Sequence, residues 1–212
     1  MGAQSILPRW WYLCSDRCLH ALSHGVPDPH TAQTIERKAN IMIRLTLQDF
    51  SALAATVAAA TEPVEVYRAV EQVLTEPLGF GLLTMLVVTP DAEDVERVYS
   101  TNRQAYPLAG RKRMGQTPWG DLVLRQRQPF LGRNAQAIRW AFPDHALISG
   151  LGLASAISVP VVALGRLLGA INLLDAAGRY DEQGVKTLQS VAPILVAPFL
   201  RELKFYPAQV LS

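Results

Sequence analysis

The sequence predicts an α+β domain arranged around a mainly antiparallel sheet. Three observations carry this. Residues 155–175, SAISVPVVALGRLLGAINLLD, read as two strands joined by a tight reversal at Gly165-Arg166. Residues 80–88, FGLLTMLVV, are an apolar run of strand length. Helical spacing of apolar residues appears before these strands and again after them.

Composition narrows the class. The chain has 212 residues, 50% of them hydrophobic, enough for one domain with a full core, with or without an appendage. The net charge of +2 does not point to nucleic acid. No apolar run reaches the roughly 18 residues of a membrane span, and Pro8 and Arg9 interrupt the one early apolar stretch, so no secretory signal is expected. Met1-Gly2 is followed by Ile6, where a myristoylation motif has Ser or Thr. A cytoplasmic protein follows as the expectation.

Residues 1–41 differ from the rest. Both cysteines (Cys14, Cys18), three histidines (His20, His24, His30) and two tryptophans (Trp10, Trp11) fall there, without sustained helical or strand period. The Cys14, Cys18, His20, His24 spacing is too cramped for a zinc finger, where about a dozen residues separate the ligand pairs, and no metal site is expected. The segment reads as a disordered leader, or as sequence upstream of a true start at Met42. The domain is expected over 42–204, with a frayed tail over 205–212.

From Thr46 the pattern is helical. Thr46 is an N-cap with Asp49 at the capping-box position, and Phe50, Leu53, Val57 and Ala60 form one stripe. The opposite side is mostly alanine, which offers a smooth surface. A second helix starts at Pro63, with Val66, Val70, Val73 and Leu74 inward, and Pro77-Leu78-Gly79 stops it. After the 80–88 strand, Thr89-Pro90-Asp91 turns the chain into a half-exposed strand over 95–101. An irregular segment follows, in which Arg111-Lys112-Arg113 reads as a solvated loop. Thr117-Pro118-Trp119 opens a helix to about Gln126, with Pro near its first position. A short strand over 128–132 and one or two short helices over 138–149 lead to the hairpin. There Leu167–Leu174 is apolar at nearly every position, as in a strand covered on both faces. Pro160 cannot donate to a ladder, so a bulge or a break in pairing is expected at it. The last helix starts at Tyr180-Asp181-Glu182, and Pro193 and Pro198 should bend or shorten it.

Several polar and aromatic residues stand out, each with a structural reading beside a functional one. Asp144 could cap a helix, and His145, the one histidine after residue 30, could sit in solvent or core. Placed instead at a pocket mouth, the pair would hydrogen-bond a polar ligand. Tyr99, Arg103, Tyr106 and Pro107 cluster after a strand, where an arginine could grip a carboxylate or phosphate or merely lie on the surface. Trp119 is either a pocket wall or a helix anchor, and Phe130, Trp140 and Phe142 read as packing aromatics, with Phe142 also a candidate wall. Asn172 and Ser158 are polar positions in apolar strands. A buried amide must find partners, so Asn172 is either a structural tie or a ligand contact.

The order of elements and three segments resemble a GAF domain. The segments are the second helix running into LGFGLLTMLVV, WGDLVLRQRQPFLG over 119–132, and VPVVALGRLLGAINLLD followed by YDEQGVKTLQSVAPIL. The likeness spans 47–203. It implies a central antiparallel sheet of about six strands with helices on both faces. The first and last helices would pack on one face and build a homodimer, and the irregular middle segment would roof a small-molecule pocket on the other. The expected role is a stand-alone sensor of a small polar or anionic metabolite, without nucleic acid or membrane, with the signalling partner unspecified. Its site would draw on Tyr99, Arg103, Tyr106, Trp119, Phe142, Asp144, His145 and Asn172. No cofactor is expected. The methionine sulfoxide reductases that resemble this family use cysteine chemistry, and the domain has no cysteine. Thioether chromophore attachment lacks its cysteine too, and the Asn-Lys-Phe-Asp-Glu run of the cyclic-nucleotide branch is absent. Two other readings stay open: an enzyme using Asp144 and His145 for acid-base work, and a ligand-free dimerisation module.

Overall fold

The computed structural model describes residues 45–89, 93–113 and 117–204. The leader, the cysteine-histidine cluster, Met42, the turn at 90–92 and the tail lie outside the described residues.

Two helices open the domain. α1 (Leu47–Ala59) begins at Thr46, whose hydroxyl accepts from the Asp49 N–H, while the Asp49 carboxylate accepts from the Thr46 N–H at 2.7 Å. This reciprocal cap satisfies two donors that the first turn leaves without partners. α2 (Pro63–Thr75) uses Glu65 in the same way, its carboxylate accepting from the backbone of Thr61 and Glu62. Gly79 ends the segment with a φ of 61°, a backbone shape that glycine takes without Cβ strain.

Six antiparallel strands form one sheet: β1 (Leu82–Val88), β2 (Asp94–Ser100), β3 (Arg111–Arg113), β4 (Phe130–Gly132), β5 (Ser155–Ala163) and β6 (Arg166–Asp175). Their order is β3-β2-β1-β6-β5-β4, so β1 and β6, both buried along nearly their whole length, lie at the centre. Every residue of β1 is buried, as its unbroken apolar run requires. The basic triplet Arg111-Lys112-Arg113, expected as loop, is instead the edge strand β3. Arg111 pairs with Glu96, and Arg113 pairs with Glu93 and Asp94. A charged edge strand blocks further strand addition.

The β5–β6 hairpin turns one residue earlier than expected, at Leu164-Gly165, with φ of 50° and 77°. A two-residue reversal of this kind needs positive φ at both central positions. Pro160 keeps its register with Ala170, and the irregularity falls at Val161/Val162. A proline can pair this way only with its nitrogen turned from the partner strand, and on that side β4 reaches no further than Ser158.

Alternation along the strands divides two cores. Leu83, Met85, Val87, Ile157, Val159, Ile171 and Leu173 face a layer built from α1, α2 and the C-terminal helices. Those are α5 (Glu182–Val191), a 3-10 turn Ala192–Leu195 that accommodates Pro193, and α6 (Val196–Lys204). Leu82, Leu86, Ala156, Ala170 and Leu174 face the opposite core, which the middle of the chain covers. That roof comprises the segment after β2, a π-helical stretch Gly120–Arg125 that continues the helix begun at Pro118, and two short helices, α3 (Ala135–Ala141) and α4 (His145–Gly150).

Candidate functional site

A bulge in β2 decides what faces the roof. Met85 pairs with Tyr99 and Leu86 pairs with Arg97, so Val98 is one residue too many opposite β1. The extra residue reverses the facing of β2 at that point. Tyr99 turns to the helical layer, against the Tyr67 ring, and its hydroxyl donates to Glu71 of α2. Burial and the Glu71 carboxylate push the Tyr99 phenol well above its usual range. Arg97 and Val95 turn under the roof.

Under the roof four polar residues lie side by side across the strands: Ser100 opposite Thr84, Thr84 opposite Asn172, and Asn172 opposite Ser158. All four are buried. Asn172 Nδ2 donates to Thr84 Oγ1 at 3.2 Å, and Trp119 Nε1 donates to Ser158 Oγ at 3.0 Å. Ser100 Oγ accepts from the Asn102 N–H. One polar atom of the row, Asn172 Oδ1, is buried without a hydrogen bond.

The second such atom is Arg97 Nε. Arg97 is only 7% exposed. One terminal nitrogen donates to the Pro107 carbonyl at 2.8 Å, and the guanidinium carbon lies 5.0 Å from the Tyr106 ring centre. Gly110 lets the side chain pass, since a Cβ there would lie 2.5 Å from Arg97 Nη1. Burial pulls the Arg97 pKa below its ordinary value, while Tyr106 and Asp144 act in the opposite direction. An arginine stays charged through such a shift, so the cation is kept under the roof.

Tyr106 links the roof to itself. Its hydroxyl donates to Asp144 Oδ2 at 3.1 Å, and burial raises its pKa above the usual range. Asp144 stands at the start of α4 but makes no side-chain cap there. Its carboxylate faces the cavity instead.

Thr84, Arg97, Asp144 and Asn172 are the polar lining of one cavity between sheet and roof. Aromatic walls come from Tyr106, Trp119 and Phe142, and aliphatic ones from Leu82, Leu86, Ile148 and Leu174. Trp119 and Phe142 are in ring contact, and Phe142 meets Phe130 edge-on. The cavity volume is ≈ 20 Å³, room for about one water. The roof is therefore packed down on the sheet.

Of the residues singled out from sequence, Tyr106, Trp119, Phe142, Asp144 and Asn172 meet at this cavity. Tyr99 lies across the sheet, Arg103 is exposed, and His145 is half-buried outside the lining. Sequence reasoning missed Arg97 and Thr84. Regular alternation puts residues 97 and 99 of a strand on one side, and nothing in the sequence marks Val98 as the extra residue that separates Arg97 from Tyr99. Among the described residues no cluster of histidine, cysteine or carboxylate side chains could hold a metal ion. Nor is any described helix long and apolar enough to cross a membrane.

Comparison with known proteins agrees with this architecture. A family model described as GAF domain matches residues 60–196. The GAF domain of a phosphoenolpyruvate-protein phosphotransferase from Coxiella burnetii superposes with a TM-score of 0.59 at 16% identity, over 74% of this chain and 92% of that one. The corresponding Acinetobacter domain gives 0.60 at 10% identity, over 73% and 92%. Free methionine-R-sulfoxide reductase from Neisseria meningitidis, in complex with its substrate, gives 0.55 at 22% identity, over 70% and 84%. At such identities the likeness concerns the fold alone. No curated protein matches the chain.

Proposed function

Starting from the premise that this chain belongs to the GAF domain family, a family of sensory and ligand-binding domains, we propose that it senses a small molecule in the cavity between sheet and roof. One observation carries the reading. Arg97 Nε and Asn172 Oδ1, from different strands, are both buried without hydrogen bonds, and both residues line the same cavity. A small molecule that accepts from Arg97 Nε and donates to Asn172 Oδ1 would meet both groups at once. Arg97 takes the charge-gripping role that the sequence suggested for Arg103. Asn172 and Asp144 supply orienting hydrogen bonds, and Trp119, Phe142 and Tyr106 form the walls.

With a cavity of ≈ 20 Å³, ligand entry requires the roof to lift. The roof carries the Tyr106–Asp144 hydrogen bond, so binding and roof movement are coupled through residues that also line the site. That coupling gives a sensor its signal. The test is a thermal-shift screen of a metabolite library. A hit raises Tm in proportion to the logarithm of ligand concentration above Kd. Arg97→Met should lose the response while remaining folded; a response that survives this change removes Arg97 from the site.

A homodimer through the flanking helices is the second part of the reading. The outward side of α1 exposes Ala52, Ala54, Ala55, Ala58 and Ala59, a low, smooth face that a second copy could cover. The acid-base enzyme reading has less support. Asp144 is engaged by Tyr106, and His145 does not line the cavity.

A further inference from the structure

The two edges of the sheet are finished differently. At one, β3 presents three basic residues. At the other, β4 covers β5 only from Ala156 to Ser158, and β5 runs on to Ala163. Continued in register, β4 would set Gln128 opposite Pro160. It does not reach that far, because Arg127 turns the chain with a φ of 57° and the Gln128 N–H donates to the Leu122 carbonyl. Pro160 is paired with Ala170, so its nitrogen faces outward, and its carbonyl points the same way. Two residues on, Val162 turns both its N–H and its C=O to that side. Among the described residues nothing bonds to these three groups.

A groove of ≈ 180 Å³ lies beside this stretch. Arg127 and Pro129 wall it on one side, and Gln189 and Pro193 wall it from the helical layer. Val162, on its β5 side, is 38% exposed. Charge here is one-sided. The lining holds one cation, Arg127, and no carboxylate. The Arg127 guanidinium donates to the Gly165 carbonyl and meets no acid among the described residues. Lys186, one helical turn before Gln189, is exposed on the same side of α5. The Glu182 carboxylate at the start of that helix is engaged by Arg133.

We infer that residues 160–163 of β5 take a short extended segment of a partner protein as an added strand, with an acidic side chain against Arg127. Main-chain bonds to the Pro160 carbonyl and to both backbone groups of Val162 attach it. Alternate side chains of such a strand point into the groove, where Pro129, Val159 and Pro193 favour an apolar one. The uncompensated cation selects against basic segments. Pro160 withholds one donor, which keeps the added pairing short and the complex weak. This edge shares no lining residue with the cavity under the roof, so the inference stands apart from the sensor reading.

Nuclear magnetic resonance of the full chain tests it, with backbone amides followed as short capped peptides are added. One peptide alternates valine and glutamate, a second alternates valine and lysine, and a third is the glutamate peptide N-methylated at every residue. The glutamate peptide should shift the Val162 amide with a Kd below about 1 mM, and the other two should bind about tenfold or more weakly. Arg127→Glu should reverse the order of the glutamate and lysine peptides. Val162→Pro removes the outward N–H and should weaken the glutamate peptide about tenfold. Arg127→Glu leaves the β5 backbone as it is, so it decides the matter if the proline variant unfolds. The inference is overturned by an unmoved Val162 amide, by equal binding of the lysine or N-methylated peptide, or by an Arg127→Glu variant that keeps the parental order. A dimer in light scattering that Val162→Pro dissociates would make a second copy the occupant and overturn it too.

Discussion

Thr84 and Asn172 illustrate how a single residue type can be costly to the fold. Asn172 spends one end of its amide on Thr84 and leaves the other unpaired. Replacing both partners by apolar groups of similar shape removes the hydrogen bond and the unpaired atom together. The double variant Thr84→Val/Asn172→Leu should therefore fall within about 1 kcal/mol of the parent, or above it, in urea unfolding. The same variant should lose ligand response in the thermal-shift screen. A loss of several kcal/mol would mean that the pair serves stability instead. Glu202 makes a second residue-scale case. Desolvation raises its pKa above 4.5, although its hydrogen bond from Tyr67 acts the other way. A carboxyl raised in the folded state contributes stability below its unfolded pKa, and that contribution is lost as pH rises through the folded value. Glu202→Gln should thus be more stable than the parent at pH 7, and the gap should close below pH of about 4. Unfolding midpoints across that range check both statements.

At the scale of elements, the central strand pair depends on one close approach. A Cβ on Gly169 would lie 1.9 Å from the Leu86 carbonyl oxygen of the neighbouring strand. That atom is backbone, so the strands themselves would have to separate. Gly169→Ala should destabilise the domain by about 3 kcal/mol or more, beyond ordinary overpacking of a core. Equilibrium denaturation measures it, and a near-neutral result would mean that β1 and β6 have slack the register does not suggest. The hairpin turn offers the opposite change. Leu164 holds a φ of 50° while fully exposed, so it bears left-handed strain and buries nothing. Leu164→Asn produces the Asn-Gly turn favoured in such reversals and should add about 1 kcal/mol.

For the whole molecule, the sheet separates two tasks. One face is closed by helices through an apolar core, and the other carries a polar row beneath a roof. In the proposed dimer the alanine face of α1 is the natural contact. Ala55→Glu together with Ala59→Glu should shift the molar mass in light scattering from dimer to monomer without lowering Tm by more than a few degrees; an unchanged mass would exclude that face. Much of this plan was readable in sequence. The strands β1, β5 and β6, the Thr46 cap and the helix periods follow from local pattern, because apolar spacing and capping chemistry act within a few residues. Five of the eight candidate residues meet at the cavity: Tyr106, Trp119, Phe142 and Asp144 lie in the middle segment that the resemblance to GAF domains made the roof, and Asn172 is a polar break in an apolar strand.

The sequence by itself determined the α+β class, the order of the elements and the polar interruptions at Ser158 and Asn172, all of which depend on neighbours along the chain. Tertiary structure decided which side of the sheet each β2 residue faces. The Val98 bulge exists only in the pairing of β1 with β2, and through it Arg97 enters the cavity while Tyr99 leaves. It also decided that Ser100, Thr84, Asn172 and Ser158 form one row, because strand register joins residues up to 88 positions apart. A pattern read along one strand cannot register what its partner skips.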